Sequence, residues 1–246
     1  MATWVLLRGL MRESRHWGDF PQLLQNSLAG QVIVTLDFPG NGSLHEEASL
    51  SSVALMADYC HAQMAKSGYA PPYRVLALSL GAMAALAWSR RHPTEVEKLV
   101  LINTSIAPYS PFYHRLRPKN YASLILFLLA GSASRREKLI LRLTSAKDRS
   151  GLWAQWIRYA QEYPITQANI LRQLFAAMSY RDDPTPPSVP VLLLAAEKDE
   201  LVNVLCSQLL AEQWDCNICL HASAGHDLPL DDPFWVVQKI NEWLPR

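Results

Sequence analysis

The sequence predicts an α/β fold: a doubly covered parallel sheet of about six strands, with a helical piece inserted late in the chain. Three observations lead there. Six short runs are apolar throughout and lack the wet alternate face of an exposed strand, as parallel strands covered on both sides do. Stretches of helical periodicity separate them, giving the alternation of strand and helix that builds such a sheet. One interval, of more than 80 residues between Thr104 and Val189, is far too long for an ordinary crossover.

In chain order, TWVLL (3–7) is the first strand and DFPQLLQNSL (19–28) the first helix. QVIVTLD (31–37) follows as a strand, then EEASLSSVALMADYCHAQMAKSG (46–68) as a helix. YRVLALS (73–79) is a third strand that runs directly into the helix SLGAMAALAWSRRHP (79–93), and KLVLINT (98–104) is the fourth strand. The long interval carries four helical patterns, NYASLILFLLAG, SRREKLILRLTSAKD, GLWAQWIRYAQEY and TQANILRQLFAAMS, and Pro-rich PTPPSVP (184–190) leads back to the sheet. VPVLLLAA (189–196), VNVLCSQLLAEQW (202–214), CNICLHA (216–222) and DPFWVVQKINEWL (232–244) complete the pattern as strand, helix, strand, helix. The expected organisation is a core of residues 1–111 and 184–246 with a helical cap at 112–183, because the cap boundaries fall between sheet elements.

A chain of 246 residues, half of them apolar, can bury one sizeable core. Arg8 interrupts the short run WVLL and no basic region precedes a long apolar stretch, so no secretory signal is visible. The greasiest segment, ASLILFLLAG (122–131), is about half the length of a bilayer span, and a soluble protein is expected. Four cysteines, at 60, 206, 216 and 219, are sparse, which points to a reducing compartment and hence the cytoplasm. Cys216 and Cys219 have the spacing of a metal knuckle, but no second pair answers them and both lie in a strand pattern, so neither metal nor cofactor is expected. The net charge of +1 conceals an asymmetry: residues 112–183 hold 12 basic against 5 acidic side chains, and residues 184–246 hold 3 against 9.

The chemistry begins at VLALSLGAMAALAW (75–88), where one hydroxyl, Ser79, stands at the junction of a buried strand and a helix. Ala77 and Gly81 are small enough to let the two elements approach closely. The helix N-terminus behind Ser79 favours negative charge. By itself this residue reads equally as a helix cap. A nucleophilic hydroxyl needs a base, and SAGHDLPLDDP, after the last strand, supplies His226. AAEKDELV, after the preceding strand, supplies Asp199, which can fix the imidazole tautomer and stabilise the imidazolium. Alone, His226 is an ordinary loop histidine and Asp199 a turn carboxylate; together the three stand at separate strand ends on one sheet edge. In LLRGLMRESRHW, Gly9 permits a close turn, so that the amides of Leu10 and Leu80 can face one developing oxyanion.

These features resemble the α/β-hydrolase superfamily over nearly the whole chain. VLALSLGA stands where that superfamily has G-x-S-x-G, with Ala77 replacing the first glycine; Arg8-Gly9 stands in place of its HG; LDFPGNGSL (36–44) is similar to its D-x-P-G-x-G-x-S turn. The resemblance implies Ser79 as nucleophile, Asp199 as acid, His226 as base, Leu10 and Leu80 as oxyanion-hole amides, and Asp37 as a structural turn residue. The N-terminal hairpin common in the superfamily has no counterpart, so the α/β-hydrolase sheet is expected to be six-stranded, wholly parallel and ordered 2-1-3-4-5-6 with right-handed crossovers. Arg8 has two readings, a pair with an acidic neighbour or a contact to a substrate carboxylate or phosphate.

A serine at the elbow points to acyl transfer and hydrolysis, so a carboxylic ester or thioester hydrolase is expected, with a small-molecule acyl substrate. Met11, Trp17, Tyr109, Phe112 and Tyr113 either line an acyl pocket or pack cap against core. The basic cap either steers an anionic substrate, including an acyl group on coenzyme A or acyl carrier protein, or is a solvated face. No nucleic-acid-binding motif accompanies it. A lyase acting on a carboxylated metabolite, an acyltransferase and a noncatalytic binding module are the other readings of the same constellation.

Overall fold

Successive residues of a strand face opposite sides of a sheet, and here both sides are apolar. In the computed structural model, which describes residues 2–244, strand β1 (Thr3–Leu7) sends Val5 and Leu7 into one core cluster and Trp4 and Leu6 into another, all fully buried. The remaining strands are β2 (Val32–Leu36), β3 (Tyr73–Leu78), β4 (Val96–Ile102), β5 (Val191–Ala196) and β6 (Asn217–His221). All pairings are parallel and the order is β2-β1-β3-β4-β5-β6, as the sequence predicts. Chain direction across the sheet reverses between β1 and β3, and ligands of open α/β sheets bind above such a reversal.

The helices are α1 (Phe20–Ser27), α2 (Val53–Lys66), α3 (Leu80–Arg91), α4 (Phe112–Arg115), α5 (Tyr121–Leu129), α6 (Ala133–Thr144), α7 (Trp153–Glu162), α8 (Gln167–Ser179), α9 (Leu205–Trp214), α10 (Leu228–Asp231) and α11 (Pro233–Trp243). Helices α2, α3 and α9 cover one face through Met56, Cys60, Leu86, Trp88 and Leu210. Phe20 and Leu24 of α1 and Val236 and Ile240 of α11 cover the other. The alanine-rich α3 is buried from Leu80 to Ser89, as an all-round apolar helix must be. No helix among the described residues is long and apolar enough to cross a membrane.

Helices α4 to α8 occupy the long interval between β4 and β5. Of these only α4 lies outside the four helical patterns of the sequence. A second departure concerns α2, which begins at Val53 and not at residue 46. Ser52 caps it by accepting from the Leu55 amide, and the preceding segment is engaged elsewhere: Asn169 of α8 accepts from the Ser49 amide at 2.9 Å and donates to the Glu47 carbonyl at 2.9 Å. Those contacts, made across 120 residues of sequence, hold the segment out of the helix.

Gly81 shows how tightly the sheet and α3 meet. A Cβ there would lie 2.5 Å from the Arg8 carbonyl oxygen and 2.6 Å from that of Leu7, both backbone atoms. Gly81→Ala is therefore expected to lower stability by about 1–3 kcal/mol in urea unfolding, through forced separation of α3 from β1.

Candidate active site

Ser79 follows β3 directly and has φ 55° and ψ −115°, a left-handed conformation that a non-glycine residue adopts only under constraint. Its neighbours enforce it. The Ser79 amide donates to the Ile102 carbonyl at 2.9 Å, the Thr104 hydroxyl donates to the Ser79 carbonyl at 3.2 Å, and α3 starts at the next residue. Gly9 comes so near that a Cβ on it would sit 3.2 Å from Ser79 Cβ. The hydroxyl thus stands at the carboxyl edge of the sheet, beside the β1 loop.

His226 and Asp199 arrive from the ends of β6 and β5. His226 Nδ1 lies 2.7 Å from Asp199 Oδ2, and both side chains are buried. The second carboxylate oxygen, Oδ1, accepts from the amides of Leu201 (2.8 Å) and Val202 (2.9 Å), so the acid cannot turn away from the ring. Burial opposes protonation of His226, but the charge and hydrogen bond of Asp199 outweigh it, and the imidazole pKa is raised above 6.5. Ser79 and His226 line one cavity of about 560 Å³, together with Leu10 and Leu80. Neither the Leu10 nor the Leu80 amide has a hydrogen-bond partner among the described residues.

The β1 loop is held by three ties. Arg8 forms a buried, two-pronged salt bridge with Asp227 (3.1 and 2.5 Å), and Trp17 stacks under its guanidinium, 4.7 Å from ring centroid to carbon. Arg12 pairs with Glu137 of α6 at 2.7 Å. Gln173 of α8 accepts from the Met11 amide at 2.8 Å and donates to Asn41 and Ser49. Asp37, as anticipated, is a turn residue: its carboxylate accepts from the amide and hydroxyl of Ser14.

The other pocket expectations divide. Met11 and Phe112 line the cavity. Trp17 does not; it is 4 % exposed in the core beneath the sheet, stacked on Phe20, because its indole is the platform for Arg8. Tyr109 is also absent from the lining, since its hydroxyl is taken by the Trp214 indole and the Asp183 carbonyl. Tyr113 is half exposed, packed edge-on to Phe112 and His114 away from the cavity. Cys216 and Cys219 are free thiols in or beside β6 and belong to no metal-binding group among the described residues.

Sequence reasoning missed the residues that hold the loops. Asn103, at φ 45°, donates to the carbonyls of Gly225 (3.2 Å) and His226 (2.8 Å) and accepts from the Ala196 amide (2.8 Å), joining three strand ends. Asp231 is buried and accepts from the Gly225 and Ala146 amides. A polar residue closing the apolar run KLVLIN was the only signal for the first; the second had none.

A family model described as the alpha/beta hydrolase family matches residues 4–239. The chain belongs to that family. Among solved structures, a thermophilic esterase from Thermogutta terrifontis is 17% identical with a TM-score of 0.79, covering 99% of this chain and 89% of its own. An esterase from Rhodococcus sp. ECU1013 is 18% identical with a TM-score of 0.77, covering 98% and 90%. The 2-hydroxy-6-oxo-6-phenylhexa-2,4-dienoate hydrolase of Rhodococcus sp. strain RHA1 is 16% identical with a TM-score of 0.77, covering 98% and 89%. At these identities the likeness is one of fold. No curated protein matches the chain.

Arg8→Met leaves the buried Asp227 carboxylate without its partner and is expected to destabilise the protein by about 3–5 kcal/mol in chemical unfolding. Adding Asp227→Leu should restore most of that loss, a coupling that a double-mutant cycle measures.

Proposed function

We propose that this member of the alpha/beta hydrolase family is a serine hydrolase of carboxylic esters, with Ser79 as nucleophile, His226 as base and Asp199 as its orienting acid. The observation that carries the reading is that Ser79 opens into the same large cavity as His226, whose far ring nitrogen is fixed by Asp199. The walls of that cavity are mostly apolar, with Leu78, Met83, Leu124, Phe127, Ile140 and Leu174 among them, which suits an acyl chain.

Asp199 accepts a hydrogen bond from the Nδ1–H of His226, leaving Nε2 as the lone-pair side. When an ester carbonyl reaches Ser79, Nε2 takes the hydroxyl proton as Oγ bonds to the carbonyl carbon. The oxygen that gains charge is met by the Leu10 and Leu80 amides and by the positive end of α3. His226 returns the proton to the leaving alcohol, and the acyl-enzyme is cleared by water activated at the same nitrogen. No hydrogen bond joins Ser79 Oγ to His226 among the described residues. In this reading the pair closes to hydrogen-bond distance when substrate binds, as catalytic hydrogen bonds tighten on binding.

Residues 112–183 act in this reading as a helical cap. Phe112, Leu116, Tyr121, Phe127, Ile140 and Met178 close the cavity over Ser79, and the β1 loop is tied to them through Arg12–Glu137 and Gln173. A thioester of coenzyme A or acyl carrier protein is the second form of acyl donor. It is favoured by exposed basic residues of the cap, such as Arg135, Arg142, Arg158 and Arg172, that have no acidic partner among the described residues. A lyase reading loses ground because Arg8 and Arg12 are neutralised by Asp227 and Glu137 and form no free cationic cluster. The free cysteines fit the cytoplasm.

Intact-mass analysis after treatment with a serine-reactive fluorophosphonate is expected to show one adduct on the wild type and none on Ser79→Ala, whose ester turnover should fall by roughly 10³-fold or more. An adduct that persists on the alanine variant would remove Ser79 from the mechanism. The rate of ester cleavage should rise with pH through an apparent pKa above 6.5, because His226 must be neutral to act as base and its pKa is raised. In Asp199→Asn that limb should move to lower pH while the rate drops, since the charge that favours the imidazolium is gone.

A further inference from the structure

Three arginines line the cavity above Ser79, and their charges are not treated alike. Arg8 and Arg12 are each answered by a buried carboxylate. Arg115, the last residue of α4, is not: among the described residues it has no acidic partner within salt-bridge distance. Its Nη2 donates to the Ala177 carbonyl at 2.7 Å, and its Nε is buried with no hydrogen bond at all.

The groups around Arg115 give no compensation. The carboxylate nearest in function, Asp199, is committed to His226, and Asp182 is committed to Arg90. Cys206 is kept a neutral thiol, its pKa pushed up by burial. Burial, with Arg181 adding a like charge, holds the Arg115 guanidinium below its ordinary pKa. A guanidinium does not shed its proton to escape such a place, so its positive charge stays on the cavity wall. The cavity that it lines is otherwise largely apolar, with Leu116, Tyr121, Leu124, Leu174 and Met178 among its walls. An apolar surface with one unanswered cation is complementary to an apolar chain bearing one carboxylate.

We propose that Arg115 is the specificity-determining anion subsite of this cavity, and that the preferred ester carries a second, ionised carboxyl group separated from the scissile bond by an apolar chain. The inference rests on the Ser79 hydrolase reading for the ester and on Arg115 alone for the carboxylate.

Two matched pairs of probes locate the charge. Mono-4-nitrophenyl suberate against 4-nitrophenyl octanoate places it on the acyl side, and the octanoyl ester of 6-hydroxyhexanoate against hexyl octanoate places it on the alcohol side. The wild type is expected to favour the carboxylated member of one pair by about tenfold or more in kcat/KM, the scale of one charge-assisted hydrogen-bonded pair. Arg115→Gln should collapse that ratio toward one, mainly through KM, and Arg115→Lys should recover part of it by restoring charge without the fork. Titration calorimetry of the same esters with Ser79→Ala reads the preference without turnover. Binding that discriminates in favour of the carboxylate, with no ester cleaved by the wild type, would overturn the hydrolase reading and leave the subsite standing. Equal handling of both members in both pairs, or a preference that survives in Arg115→Gln, would overturn the subsite.

Discussion

The backbone of Ser79 is the constraint on which the rest depends. Holding a serine at φ 55° costs on the order of 1–3 kcal/mol, and it persists because strand, helix and neighbouring loop leave no other path. β3 ends at Leu78 and α3 starts at Leu80, so the reversal is confined to one residue. Gly81 lies against the backbone of β1, and Gly9 lies against the serine itself. A side chain at Gly81 would push apart the elements that force the turn, and one at Gly9 would crowd the serine. What the molecule obtains is a hydroxyl lifted off the sheet edge, at the start of a helix, beside a loop whose Leu10 amide has no hydrogen-bond partner among the described residues.

Around that point, charge pairs do for the loops what the turn does for the serine. Arg8 and Asp227 connect the β1 loop to the segment bearing His226, and Asn103 connects that segment to the ends of β4 and β5. The inserted helices take part as well. The Asp227 amide donates to the Thr144 carbonyl at the end of α6, and Arg117 donates to the Asp199 carbonyl at 2.7 Å. A Cβ on Gly225 would lie 2.7 Å from the Ala146 amide, which shows how closely the insertion sits on the histidine loop. The helices between β4 and β5 are therefore part of the framework that positions Asp199 and His226, and displacing them would disturb that pair.

Much of this was legible in the sequence because it rests on local pattern. Continuous apolar runs gave the six strands, and the small residues around Ser79 gave the turn. The sheet order and Asp37 followed from motif resemblance. What escaped depends on contacts between distant parts of the chain. The region 46–52 has helical composition, yet Asn169 holds it as a loop. Trp17 and Tyr109 look like pocket aromatics, but Arg8 engages the indole and Trp214 the phenol. Asn103 and Gln173 are ordinary polar residues until three strand ends or two loops converge on them. Arg8 and Arg115 are indistinguishable as letters; Asp227 pairs with the first, and the second has no acidic partner within salt-bridge distance among the described residues.

The central claim is convergence: one hydroxyl, one imidazole and two amides directed at a single reacting centre. Its most direct measurement is a crystal structure of the enzyme phosphonylated by a fluorophosphonate, whose phosphoryl oxygen stands in for the oxyanion. Phosphorus is expected on Ser79 Oγ, with the phosphoryl oxygen about 2.7–3.1 Å from the Leu10 and Leu80 nitrogens and His226 Nε2 facing Oγ. Phosphorus on another side chain, or an oxygen turned away from both amides, would contradict it.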